Sequence, residues 1–218
     1  MQERAIRFDF GARYFTAGTL DKKTRQVWII VHGYGQLAQF FLKRFEPLAV
    51  KGVFVIAPEG LSRFYLSELT STGRADNRVG ATWMTRENRL MDIDNYIHYL
   101  DAVCEEELKG VTLPLTLLGF SQGCATVCRW ATHGRVDFQR LILWAGLFPP
   151  DMDFVKGHEV LVGKKIYMVV GNGDPYLTPG RMKEFEELTR KLDIKPEKVV
   201  FDGKHELNDE VLSRFAIS

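Results

Sequence analysis

Apolar and polar positions along this chain fall into short alternating blocks. "VWIIVHG" (Val27 to Gly33), "VFVIAPEG", "LPLTLLGF", "QRLILWAG" and "KKIYMVVGNGD" each contain a continuous apolar run closed by glycine. Such runs predict strands buried on both faces. Between them the period becomes helical. Leu37, Phe40, Phe41 and Phe45 mark a helix in "QLAQFFLKRFEPLAVKG", and Leu90, Ile93, Ile97, Leu100, Val103 and Cys104 mark an amphipathic one from Arg86 onward. Further helices are predicted after Ser121, from Pro179 to about Leu192, and in "ELNDEVLSRFA", with "EKVVFDG" as the last strand. "RAIRFDF" and "ARYFTAG" predict a leading hairpin around Gly11, and the polar stretch from Leu61 to Thr85 a long irregular loop.

Strands alternating with helices define an α/β chain with a mostly parallel central sheet and helices on both faces. No repeat or Gly/Ser linker divides it, so residues 1–218 read as one domain. Sheets of this kind bind ligands beyond the carboxyl ends of their strands. That edge is where chemistry is expected.

Composition narrows the picture further. The 29 basic and 28 acidic side chains nearly cancel, which gives no reason to expect a nucleic-acid partner. No apolar run approaches the ~20 residues that cross a bilayer, so stable membrane insertion is not expected. The N-terminus "MQERAIRFDF" has no signal-peptide core. Cys104, Cys124 and Cys128 are odd in number and lack C-x-x-C spacing, which reads as buried thiols in a reduced, cytoplasmic protein.

The strand-to-helix seam "GFSQG" places Ser121 between Gly119 and Gly123. A buried strand running in and a helix running out are what a nucleophile elbow requires, because the sharp turn leaves room for little more than glycine. Serine attacks only when a base takes its proton. Of the five histidines, His98 falls on a polar helix side, His133 ends a helix before Gly134, and His158 lies in a predicted loop. His32 ends a strand, where it would order the adjacent loop. His205 follows the last strand and a plausible acid, the serine–acid–histidine order of this architecture, and is the expected base.

Asp174 in "VVGNGDPY" is the expected acid, with Asp151 and Asp153 as alternatives from the preceding strand. Asp174 before Pro175 also suits a simple turn. Two backbone donors would complete the site: the N–H of Gln122, next to the nucleophile, and that of Tyr34, turned inward by Gly33 and Gly35.

Together these motifs resemble the α/β-hydrolase superfamily and, within it, the phospholipase/carboxylesterase group that includes acyl-protein thioesterases. The resemblance runs from Val27 to about Phe215 and implies an α/β-hydrolase fold with Ser121 as nucleophile, His205 as base, Asp174 as orienting acid, and Tyr34 with Gln122 as oxyanion donors. It implies no metal and no organic cofactor. The group commonly has His-Gly-Leu-Gly-Asp at the oxyanion loop, where this chain has Tyr34 and Gln36. Its Trp-Phe-Asp stretch corresponds to Trp83-Met84-Thr85, and its Gly-x-Gly-His ending to Gly203-Lys204-His205.

The reaction expected is hydrolysis of short- or medium-chain carboxylic esters through an acyl-enzyme. Thioester or lysophospholipid deacylation is the alternative, and a non-catalytic binding protein of the same fold a third reading. Partners would be small ester or thioester substrates, and a homodimer is compatible with the sequence. Trp83, Met84 and Tyr65 are expected to line the substrate site, unless the aromatics of that loop only anchor it to the domain.

Overall fold

The structure, a computed structural model, describes residues 1–67 and 78–217. The strands are β1 (Tyr14–Ala17), β2 (Gln26–Val31), β3 (Val53–Pro58), β4 (Ser62–Tyr65), β5 (Val79–Thr82), β6 (Leu115–Phe120), β7 (Arg140–Trp144), β8 (Lys165–Gly171) and β9 (Glu197–Phe201). The helices are α1 (Ala38–Leu42), α2 (Glu46–Ala49), α3 (Arg89–Leu108), α4 (Gln122–His133), α5 (Phe154–Leu161), α6 (Pro179–Lys191) and α7 (Asp209–Ile217).

Seven strands form one sheet in the order β1-β3-β2-β6-β7-β8-β9, parallel throughout except for β1. Alternate residues of the continuous apolar runs enter two separate cores. Ile29, Leu117, Leu143 and Met168 pack with Tyr96 and Leu100 of α3, Val127 and Trp130 of α4, and Phe185 of α6. Trp28, Ile30, Leu118, Trp144 and Val169 pack with Phe41 of α1, Leu48 of α2, and Leu212 and Phe215 of α7. Burial on both faces is why these strands carry no polar alternation.

The strand order reverses at β2. Its connection onward leads to β3 on one side, while β6 lies on the other, with Val31 opposite Gly119. Loops leaving β2 and β6 therefore diverge, and the crevice between them opens beside Ser121.

Four local expectations change. Residues 1–13 form no strand; β1 pairs antiparallel with the edge of β3 instead, Tyr14 opposite Pro58. Arg13 is held by Glu59 and Arg7 by Asp94, which draws the leading segment along the molecule rather than back on itself. The single helix after Gln36 is split into α1 and α2, because Pro47 fits the first turn of a helix but not its interior. The stretch from Leu61 to Thr85 contains the antiparallel pair β4–β5, whose four-residue strands are too short to show a period; its residues 68–77 lie outside those described. His158 lies in α5, not in a loop, and its Nδ1 is 2.8 Å from the Leu192 carbonyl oxygen. Among the described residues no helix is long and apolar enough to cross a membrane.

Candidate active site

Ser121 ends β6 and caps α4 with φ 54° and ψ −116°, a region that non-glycine residues occupy only under constraint. Its N–H is held by the Trp144 carbonyl at 2.9 Å, and its own carbonyl accepts from Cys124 N–H at 3.0 Å. Close packing enforces the turn. A Cβ on Gly119 would collide with the backbone of Gly123, and one on Gly123 with the Val31 carbonyl, so α4 can start directly against β2 and β6 only with glycine at both positions. The serine hydroxyl makes no capping bond to its helix and is left for another partner.

That partner is His205. Its Nε2 lies 3.0 Å from Ser121 Oγ, and its Nδ1 lies 2.7 Å from Asp174 Oδ2. An ionised carboxylate only accepts, so Nδ1 carries the proton and Nε2 is free to accept from the hydroxyl. The Asp174 side chain is fully buried and His205 retains 21% exposure. The turns after β8 and β9 set this spacing by bonding to each other: Gly173 N–H donates to Gly203 O at 2.9 Å, and Gly203 N–H to Asn172 Oδ1 at 3.2 Å. Phe120 and Tyr176 also touch the imidazole, with ring centroids 5.1 and 4.7 Å away. Neither was singled out in the sequence. Tyr176, two residues beyond the acid, is the one whose position gave a signal.

Asp151 and Asp153 are elsewhere. The Asp151 carboxylate accepts from Arg89 at 2.6 Å and from Arg129 at 2.7 Å. Burial pushes its pKa up, but the two guanidinium groups outweigh this and leave it lowered. Asp153 caps α5 by accepting from Lys156 N–H.

The loop after β2 faces the elbow. His32 is buried; its Nδ1 lies 2.8 Å from Gly33 O, and its Nε2 accepts from Gly60 N–H at 3.0 Å. Burial lowers its pKa to about 4, against smaller opposing effects of Gly33 and Glu59. The neutral ring therefore holds the Gly33 carbonyl. In a trans peptide the carbonyl and the following N–H point in opposite directions, so this bond also fixes the direction of Tyr34 N–H. Gly35 continues the turn at φ +74°. Gln36, at the family's aspartate position, closes it by accepting Gly33 N–H on Oε1 at 2.8 Å. Among the described residues, the N–H groups of Tyr34 and Gln122 make no hydrogen bond within the protein.

Glu59 anchors this loop from behind. Buried to 2% exposure, it accepts from Arg13, Arg63 and Ala38 N–H. The β4–β5 pair is stitched on by Gly35 N–H to Ala81 O and Ala81 N–H to Gln36 O. The Gln122 side chain ties the end of β5 to the elbow, donating to Met84 O at 3.0 Å and accepting from Trp83 N–H at 3.2 Å.

The three expected lining residues separate. Trp83 has 2% exposure, donates from Nε1 to His32 O at 2.9 Å and packs against His32 and Tyr96, which anchors the segment to the loop after β2. Met84 is half-buried, with Arg129 Nη1 at 3.5 Å from its sulfur. Tyr65 is exposed on β4; beside it the ring of Phe64 packs at a tilt against the exposed Tyr34, ring centroids 5.1 Å apart. Among the described residues no cluster of three His, Cys, Asp or Glu side chains could hold a metal ion.

A mostly parallel sheet with helices on both faces and a strained serine at a strand-to-helix turn define an α/β-hydrolase fold. The chain belongs to the phospholipase/carboxylesterase family, whose model matches residues 17–216. Sequence comparison with curated proteins finds no match. Among solved structures it is similar in fold to acyl-protein thioesterase 2 of Zea mays (TM-score 0.69, 14% identity, 95% of this chain and 97% of that one). It is likewise similar to the Bacillus cereus carboxylesterase (0.65, 14%, 94% and 92%) and to a carboxylesterase from Mesorhizobium loti (0.64, 16%, 89% and 88%).

Proposed function

We propose that the protein is a serine hydrolase that cleaves carboxylic esters of short or medium acyl chain through an acyl-enzyme on Ser121. The observation that carries this reading is the continuous run of short contacts from Ser121 Oγ through His205 to the buried Asp174. Membership of the phospholipase/carboxylesterase family supports it.

In the first half-reaction Ser121 Oγ attacks the substrate carbonyl carbon while its proton passes to His205 Nε2. Asp174 accepts from Nδ1–H and stabilises the imidazolium that forms. The carbonyl oxygen, now an anion, faces the N–H groups of Tyr34 and Gln122 at the positive end of α4. Collapse of the tetrahedral intermediate breaks the bond to the leaving oxygen or sulfur, which departs with the Nε2 proton as alcohol or thiol. Water then attacks the acyl carbon, Nε2 takes its proton, and Ser121 is released with the carboxylic acid. The neutral substrate and the two-step chemistry call for no cofactor.

Exposed Tyr34, half-buried Phe64 and Met84, and Tyr65 supply apolar surface near the site for an acyl chain. Three free thiols, two of them buried, agree with a reducing, cytoplasmic setting. A second reading, acyl-protein thioesterase, is favoured by the likeness to the maize enzyme. A chain-length series of aryl esters and matched thioesters decides between them. The proposal expects ester turnover that vanishes in Ser121→Ala; thioester rates well above ester rates would favour the second reading, and no turnover of either would overturn both.

A further inference from the structure

At the edge of the sheet opposite Ser121, a cleft of about 1280 Å³ opens between the β1–β2 connection, the α2–β3 turn and the end of α7. Among the described residues it is lined by Lys22, Lys23, Arg25, Lys51 and Arg140, with Asp21 as the acidic one. Over the whole chain, cations and anions nearly cancel, 29 against 28. Among the described residues, Lys22, Lys23, Arg25 and Lys51 against Asp21 is therefore a local segregation that net charge conceals.

Among the described lining residues, Asp21 can balance one of these charges and leaves the rest uncompensated. Asp21 Oδ1 is occupied by Lys23 N–H at 2.7 Å, inside a turn closed by Thr24. Among the described residues, none of Lys22, Lys23, Arg25 and Lys51 forms an ion pair. Arg140 is anchored deeper in the cleft, donating to Phe215 O at 2.6 Å. Like charges gathered around a concavity repel one another and focus a positive potential into it, which an anion relieves.

We propose that this cleft is a binding site for a small polyanion of the phosphate class. Its volume exceeds the ~300–1,000 Å³ typical of small-molecule sites, so more than one phosphate group fits. Lysines suit such a ligand because each acts as a mobile point charge on a phosphate oxygen, without the fixed planar geometry that arginine demands. The site is proposed for binding and not for chemistry. It is independent of the proposed hydrolase chemistry at the other pole.

Tripolyphosphate is the soluble probe, titrated calorimetrically into the full chain at ~50 and ~300 mM salt. Phosphatidylcholine vesicles with and without a phosphoinositide provide the membrane arm, read by co-sedimentation. Lys22→Glu/Lys23→Glu/Lys51→Glu reverses exposed cleft charges, and Lys156→Glu/Lys183→Glu/Lys195→Glu makes the same change in charge elsewhere. The proposal expects saturable binding near one site per chain, at least ~10-fold weaker in the cleft variant, little changed in the control variant, and weakened by salt. Tripolyphosphate binding would identify a soluble ligand as sufficient; binding only to phosphoinositide vesicles would identify a headgroup. No saturable binding of either probe, or equal loss in both variants, would overturn the site. Ester hydrolysis is measured in parallel, and its presence or absence leaves this result unaffected.

Discussion

The two carboxylate oxygens of Asp174 serve different partners. Oδ1 accepts Tyr176 N–H at 2.9 Å, as an Asx turn before a helix would, and Oδ2 accepts from His205 at 2.7 Å. The turn role and the orienting role, alternatives in the sequence, are thus compatible in one side chain. Asp174→Asn can keep the turn but can also present an N–H to Nδ1, which places the ring proton on Nε2 and blocks transfer from Ser121. A loss of about 10²–10⁴ in kcat is expected, with circular dichroism unchanged. A kcat within threefold of wild type would remove Asp174 from the mechanism. His205 must accept a proton at Nε2, so His205→Ala should abolish turnover.

At the scale of elements, the site depends on how the β4–β5 pair is fastened to the loops after β2 and β6. Gln122→Ala keeps the backbone N–H but removes the link to Trp83 and Met84. It should cost about 1 kcal/mol of stability and lower kcat/KM several-fold while leaving Ser121 reactive. Loss of Ser121 reactivity in that variant would mean that the side chain shapes the elbow itself. Asp151 tests the opposite case. It joins the loop after β7 to Arg89 of α3 and Arg129 of α4, so Asp151→Asn should lower the urea midpoint by an amount worth about 1–2 kcal/mol, moderated by its partial exposure. Its kcat should stay within about threefold. A large kcat loss there, with Asp174→Asn near normal, would move the acid to the loop after β7. The continuous apolar runs were legible as strands because both faces are buried, and the elbow because its glycines and serine are adjacent. For Trp83 the sequence leaves pocket wall and loop anchor as alternatives, because its place beneath His32 depends on contacts between segments 51 residues apart.

For the molecule as a whole, stability should follow the charge state of His32. Its folded pKa, about 4, lies below the ordinary imidazole value of 6.5, so the unfolded chain binds the proton more readily. The contribution is fully present above pH ~6.5 and is lost as pH falls toward ~4, a change of about 3 kcal/mol over that window. Urea unfolding across it should show the decline, and His32→Asn should flatten it. An equal slope in both proteins would assign the acid sensitivity to other groups. The order of the parallel strands was readable from periodicity, since each carries its own burial signal. The open edge that captures β1 was not, because local alternation does not say which neighbour a strand will find. The segregation of charge into the cleft opposite Ser121 was equally hidden, since it brings Lys51 and Arg140 next to residues 21–25 only after folding.

The central claim is that Ser121 is the nucleophile. Treatment with a fluorophosphonate, followed by intact mass and peptide mapping, tests it most directly. One adduct per chain should form on Ser121, and Ser121→Ala and His205→Ala should each abolish or severely slow it. An adduct on another serine, or no adduct in a protein that still hydrolyses esters, would contradict the account.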